Sequence, residues 1–138
     1  MHIRLLFLLA AFLCHRSSAA QSGETGFLDR SLVHEGRTYR YQVYVPRDYT
    51  PDEDWPVILF LHGAGARGSD GIIPTDTGLG TAIRRNVSGW PAVVVFPQVP
   101  LSQSWSDEPA AAAMEALEAT LDEYAIDENR QYLTGLSM

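Results

Sequence analysis

Two stretches decide how this chain folds: Val57-Ile-Leu-Phe-Leu61, running into His62-Gly-Ala-Gly-Ala-Arg-Gly-Ser-Asp-Gly71, and Gln131-Tyr-Leu-Thr134, running into Gly135-Leu-Ser-Met138. The first run is apolar throughout, too short for a core helix and rich in strand formers. Ala92-Val-Val-Val-Phe96 repeats the type, and 131–134 is a third, weaker case. Continuous apolar runs of this length describe strands covered on both faces, as in a parallel sheet with helices above and below.

A helix separates the second and third strands. Ala110, Met114, Leu117, Leu121 and Tyr124 recur at alternating spacings of four and three, with Glu115, Glu118, Asp122 and Glu123 on the other side. Ser106 or Asp107 can cap it, and Pro109 is tolerated because it falls in the first turn. Leu79 to Asn86 holds at most a short helix. Strand, helix, strand, helix, strand makes two βαβ units, hence an α/β fold with right-handed crossovers.

Ahead of these units, Tyr39, Tyr41, Val43 and Val45 alternate with Arg40, Gln42 and Tyr44, the period of a strand with one buried face. Ser31–His34 pairs with it through Glu35-Gly36 as an antiparallel hairpin. Pro46 to Pro56 is polar punctuation. Its Asp52-Glu53-Asp54 lacks the spacing of a calcium loop and reads as a solvated turn.

Residues 1–20 are expected to be a secretory signal peptide. Arg4 supplies a positive start, Leu5 to Cys14 is an apolar run shorter than the ~20 residues that span a bilayer, and Ser17-Ser-Ala-Ala20 offers small residues for cleavage after Ala19 or Ala20. Bulky Phe12 and Leu13 before Cys14 argue against lipidation. The domain then begins at residue 21, and the chain is expected to be secreted or periplasmic, without stable membrane insertion.

Composition narrows the partners. The 138 residues carry ten Lys plus Arg, all of them arginine, against seventeen Asp plus Glu. Without Arg4 and Arg16 the net charge falls from −7 to −9, and without Cys14 no cysteine remains. An acidic chain with scattered arginines does not suit nucleic acid, and disulfides, thiol catalysis and cysteine-ligated metals are excluded from 21–138. No cofactor is implied. Asn86-Val-Ser88 matches a glycosylation acceptor, a tripeptide common by chance.

The chemistry belongs at the carboxyl ends of the strands, where open α/β sheets place their sites. Gly135-Leu-Ser137 forms most of Gly-x-Ser-x-Gly, the tight strand-to-helix turn that raises a serine hydroxyl above the sheet. Gly135 leaves room for neighbouring backbone, and the serine is held strained. The glycine-rich segment after the earlier strand matches it. Acyl transfer places negative charge on a carbonyl oxygen, and two backbone N–H donors stabilise it, each worth about 2.7–4 kcal/mol. The expected donors are Met138 and Ala64, with Gly63 or Gly65 as neighbours of the latter.

Residues Pro56 to Gly71, Val95-Phe-Pro-Gln98, Trp105 and Ile126 to Met138 together resemble the α/β-hydrolase fold. Within it they look most like the secreted family described as predicted peptidases or carboxylesterases, related to polyhydroxybutyrate depolymerases and feruloyl esterases. Ala66 departs from that pattern, where an acidic residue is expected. The resemblance implies an N-terminal hairpin followed by the parallel strands of a hydrolase sheet, incomplete at the C-terminus. It makes His62 a brace for the oxyanion loop rather than the base, because the triad order in this fold is serine, then acid, then histidine. Arg67 and Asp70 are read as tying down the loop, Trp105 as walling a substrate pocket or packing at the helix start, and Pro97-Gln98 as site edge without a catalytic role.

The implied function is a serine hydrolase cleaving a small-molecule or polysaccharide-linked carboxylic ester through an acyl-enzyme at Ser137. A serine peptidase of the same fold and a non-catalytic remnant remain as alternatives. Every acid and histidine precedes Ser137, so residues 21–138 are expected to be the N-terminal part of a single domain, inactive alone, whose triad acid and base lie beyond Met138.

Overall fold

The computed structural model describes residues 23–138. The expected signal peptide and the domain start at residue 21 lie outside them. Strands β1 (Gly26–His34) and β2 (Arg37–Val45) pair antiparallel over their whole length, from Gly26 opposite Val45 to His34 opposite Arg37. Glu35 and Gly36 close the hairpin with φ of 47° and 80°. A two-residue turn of this hand matches the twist of the strands it joins.

Strands β3 (Trp55–Leu61), β4 (Val93–Pro97) and β5 (Ile126–Gly135) complete one sheet in the order β1-β2-β4-β3-β5. β3 runs parallel to both β4 and β5, and β2 joins the parallel part by pairing antiparallel with β4. Two helices, α1 (Leu79–Arg85) and α2 (Asp107–Glu123), fill the β3–β4 and β4–β5 connections. The expected α/β architecture is therefore present. Both outer strands are longer than the hydrophobic pattern suggests. β5 starts at Ile126 because Trp55 pairs with Ile126 while Val57 pairs with Gln131, leaving a polar bulge at 127–130. Arg130 steadies that bulge through the Asp127 carboxylate and the Asp54 carbonyl. Pro56, which lacks an N–H, sits at the same irregularity.

Alternation along β2, β3 and β4 builds two cores. Tyr41, Val43, Val45, Val57, Leu59, Val93 and Val95 meet Ala116, Leu117 and Tyr124 on the α2 side, whereas Tyr44, Phe60, Val94 and Phe96 meet Ile83 on the α1 side. Val93, Val94 and Val95 are fully buried, each contributing roughly 1.5–3 kcal/mol of transfer free energy. β5 differs: Tyr132 is 54% and Leu133 68% exposed, so two-sided burial holds for β3 and β4 but not for β5. β2, expected to bury one face, is buried on both from Tyr41 to Val45 because it lies between β1 and β4 with a core on each side.

Helix α2 meets its expected face in part: Leu117, Leu121 and Tyr124 pack into the core, but Met114 is 49% exposed, and the buried residues of the first turns are Pro109, Ala112, Ala113 and Ala116. Small side chains let the helix axis sit close over the valines, and the bulkier Met114 is left outside. Ser106 occupies the N-cap without a capping bond, its hydroxyl lying instead near that of Ser104. The carboxylates along α2 reach across to the hairpin. Glu108 accepts from the Tyr39 hydroxyl, Glu115 pairs with His34, and Glu123 is gripped by Nε and Nη2 of Arg30.

Candidate active site

β3 and β5 are parallel neighbours, so Leu61 and Gly135 end side by side. The Leu136 N–H donates to the Leu61 carbonyl at 3.0 Å. A Cβ on Gly135 would stand 2.8 Å from that same oxygen, which is why only glycine fits. The chain then turns sharply, and Ser137 takes φ of 69°. A non-glycine residue in this region stores strain of order 1–3 kcal/mol.

Gly63 begins the loop after β3. A Cβ there would lie 3.0 Å from the Leu136 carbonyl oxygen and 3.2 Å from Ser137 Cβ, so the two loops are in contact at backbone level. Ala64–Ala66 forms one 3₁₀ turn. Ala64 is exposed and is its first residue, whose N–H has no partner inside the turn. The Met138 N–H is turned to the Leu136 carbonyl at 3.0 Å. Arg67 Nη2 donates to Met138 Sδ at 2.8 Å, a second link between loop and elbow.

His62 is fully buried. The Val99 N–H donates to Nε2 at 3.1 Å, which makes Nε2 an acceptor and leaves the proton on Nδ1, directed at the Gly63 carbonyl at 2.7 Å. Burial pushes the imidazole below its ordinary range against the raising effect of the Gly63 bond, and the Arg67 cation adds to the lowering. Trp105 packs edge-on against this ring, and its indole N–H donates to the His62 carbonyl at 2.8 Å. The structure thus turns Trp105 inward to the end of β3. A cavity of about 460 Å³ opens beside Arg67, lined also by Leu101, Gln103, Ser104, Ser106 and Glu108.

Asp70 ties the far end of the loop. Its Oδ1 accepts from the N–H groups of Ile72 and Ile73. Partial burial raises its carboxyl, but these bonds and the Gln98 amide hold it below the usual carboxylate range. The glycines of this loop serve close approach: Gly68 abuts the Gln98 amide, and Gly71, at φ of 77°, abuts Arg40. Gln98, read from the sequence only as site edge, is 4% exposed and bonded to the loop at both ends of its amide. A polar residue directly after an apolar strand was the one signal pointing to it.

Ser137 and Ala64 therefore sit on touching loops at the carboxyl ends of adjacent strands, with Met138 linked to the same loop through Arg67. Of the described histidines, His62 adjoins this site but is engaged at both nitrogens, and His34 is paired with Glu115. Among the described residues no group of three or more His, Cys, Asp or Glu is placed to hold a metal ion, and no helix is long and apolar enough to cross a membrane.

No family model matches the chain, and no curated protein matches it in sequence. Solved structures do. A thermostable esterase shares 35% identity at a TM-score of 0.71, over 80% of this chain and 34% of its own. A thermostable esterase from Pseudomonas putida shares 26% at 0.54, over 79% and 33%. The S-formylglutathione hydrolase FrmB from Staphylococcus aureus, at 14% identity and a TM-score of 0.58, over 80% and 46%, agrees in fold alone. The chain spans about a third of the length of the two esterases it resembles in sequence. By strand order and by these likenesses, it has the α/β-hydrolase fold of the solved esterases.

Proposed function

We propose that this chain contributes the nucleophile and oxyanion loop of a secreted serine carboxylic-ester hydrolase. The observation that carries the reading is Ser137, at φ of 69° directly after β5 and in contact with Gly63 of the loop after β3. In this reading Ser137 Oγ attacks the ester carbonyl carbon, and a base takes its proton and returns it to the leaving alcohol. Water then attacks the acyl-enzyme and releases the acid. The Ala64 N–H stabilises the oxyanion, and the Met138 N–H joins it once it leaves the Leu136 carbonyl. Trp105 bounds the substrate pocket from the His62 side. The substrate is a small-molecule or polysaccharide-linked ester, and no cofactor takes part. The 35% identical neighbour being an esterase favours esters over peptides.

The base and its orienting acid come from outside the described residues, since neither His62 nor His34 is free to serve Ser137. Polypeptide 1–138 alone is therefore expected to hydrolyse p-nitrophenyl acetate no faster than buffer. The full product of the reading frame encoding it should hydrolyse the ester, and Ser137→Ala should lower kcat by at least about 10³-fold. Hydrolysis that survives Ser137→Ala overturns the proposal. Export through residues 1–20 is checked by N-terminal sequencing of the released protein, expected to start at Ala20 or Gln21.

A further inference from the structure

Gln98 lies immediately after β4 and points under the glycine-rich loop. Its Oε1 accepts from the Gly71 N–H at 2.6 Å, and its Nε2 donates to the Ala66 carbonyl at 3.1 Å. Gly68 is bare where it passes the amide: a Cβ there would stand 2.7 Å from Nε2. The next residue continues the grip, because the Gly68 N–H donates to the Val99 carbonyl and the Val99 N–H donates to His62 Nε2. An irregular loop has no ladder partners for its backbone groups, so these groups need side-chain or neighbouring partners when buried. Gln98 supplies one at each end of the segment 66–71. The nearer end is two residues from Ala64.

We infer that Gln98 is a positioning residue that clamps the loop carrying Ala64 in register with Ser137. This rests on the oxyanion reading above. An amide is the side chain suited to the task, because one planar group must accept at one end and donate at the other. Leucine does neither. Glutamate keeps the acceptor toward Gly71, but until it is protonated it faces both the Ala66 carbonyl and the Asp70 carboxylate, to which the amide also donates, with lone pairs.

The test uses the full product of the reading frame, wild type and with Gln98→Leu or Gln98→Glu, followed by hydrogen–deuterium exchange over 63–71 and by p-nitrophenyl acetate kinetics. In Gln98→Leu, exchange over 64–71 is expected to quicken about tenfold, the scale of one or two lost hydrogen bonds, while β4 and α2 keep wild-type protection. kcat should fall about 10²-fold with KM within about twofold. In Gln98→Glu, the excess exchange at 64–66 over wild type should shrink as pH falls from 7 to 4.5 and the carboxyl regains a proton to donate. A residue that only fills space would give the same excess at both pH values, and that result overturns the inference. So does unchanged exchange over 64–71 in Gln98→Leu, whatever the kinetics. A wild-type protein without hydrolysis overturns the serine-hydrolase reading instead and leaves the exchange comparison to decide the clamp.

Discussion

Gly63 and Ser137 meet across the carboxyl ends of β3 and β5, so closely that a methyl group on Gly63 would stand 3.2 Å from Ser137 Cβ. Gly63→Ala should therefore displace the elbow by a few tenths of an ångström. The expected result is a loss of about 10²-fold in kcat at a stability cost of about 1 kcal/mol. Gly65 has nothing within 4 Å of the same position, and Gly65→Ala should leave the denaturation midpoint unchanged. Urea titration of both variants reads the contrast.

Gly135→Ala meets a harder obstacle. Its methyl would lie 2.8 Å from the Leu61 carbonyl oxygen, which already accepts the Leu136 N–H. Backbone gives less readily than a side chain, so the strand pair must part. A loss of about 2–3 kcal/mol is expected in urea denaturation. A cost below about 0.5 kcal/mol would show that β5 is free to shift.

The neutral state of His62 makes stability pH-dependent. Burial holds its folded value below the ordinary 6.5, so the unfolded chain takes up a proton first. Stability from this group is whole above about pH 6.5 and is lost as pH falls from there through the folded value. The urea midpoint should accordingly drop between pH 7.5 and 5. Replacing the titrating ring by His62→Gln should flatten that part of the profile, although the variant starts lower at pH 7.5 through the lost Val99 bond.

Arg30 and Glu123 test the join between hairpin and helix. Two guanidinium nitrogens meet the two carboxylate oxygens at 3.1 and 2.6 Å, and Nη2 also donates to the Tyr124 hydroxyl. The Arg30 bond, against the cost of burial, holds the Glu123 carboxyl below its usual range, and burial together with Glu123 pushes the Tyr124 hydroxyl up to about 12. With both side chains a quarter to a third exposed, a double-mutant cycle of Arg30→Met and Glu123→Gln should return a coupling of about 1 kcal/mol. Because the Glu123 value is depressed, the coupling is present above the ordinary carboxylate range and disappears as pH falls through the folded value.

Much of this was legible in the chain. Runs such as 57–61 and 92–96 announce two-sided burial because both faces of a central parallel strand are covered, and Glu35-Gly36 announces a turn because both positions need positive φ. The buried face at the start of the helix was not legible, although Leu117, Leu121 and Tyr124 were. Met114 and Ala113 are both apolar, and only the distance between helix and sheet decides which fits beneath. The start of β5 was hidden by its polar bulge, where pairing with Trp55 skips four residues. At the site, Gly135 and Ser137 follow from the local demands of a tight turn. Gln98 did not stand out, since its partners at Ala66 and Gly71 are about thirty residues away in sequence and show only once the loop is folded back on β4.

The side-chain hydrogen bonds that fasten α2 to the hairpin join residues far apart in the sequence. Tyr39 is separated from Glu108 by 69 residues, His34 from Glu115 by 81 and Arg30 from Glu123 by 93. During synthesis the hairpin is complete long before the carboxylates that anchor it are made. Until then its inner face has neither the alanines of α2 nor their charges to rest on. Contacts at such separations form late and slow folding. Hairpin and α2 become one unit only after residue 123 has been made.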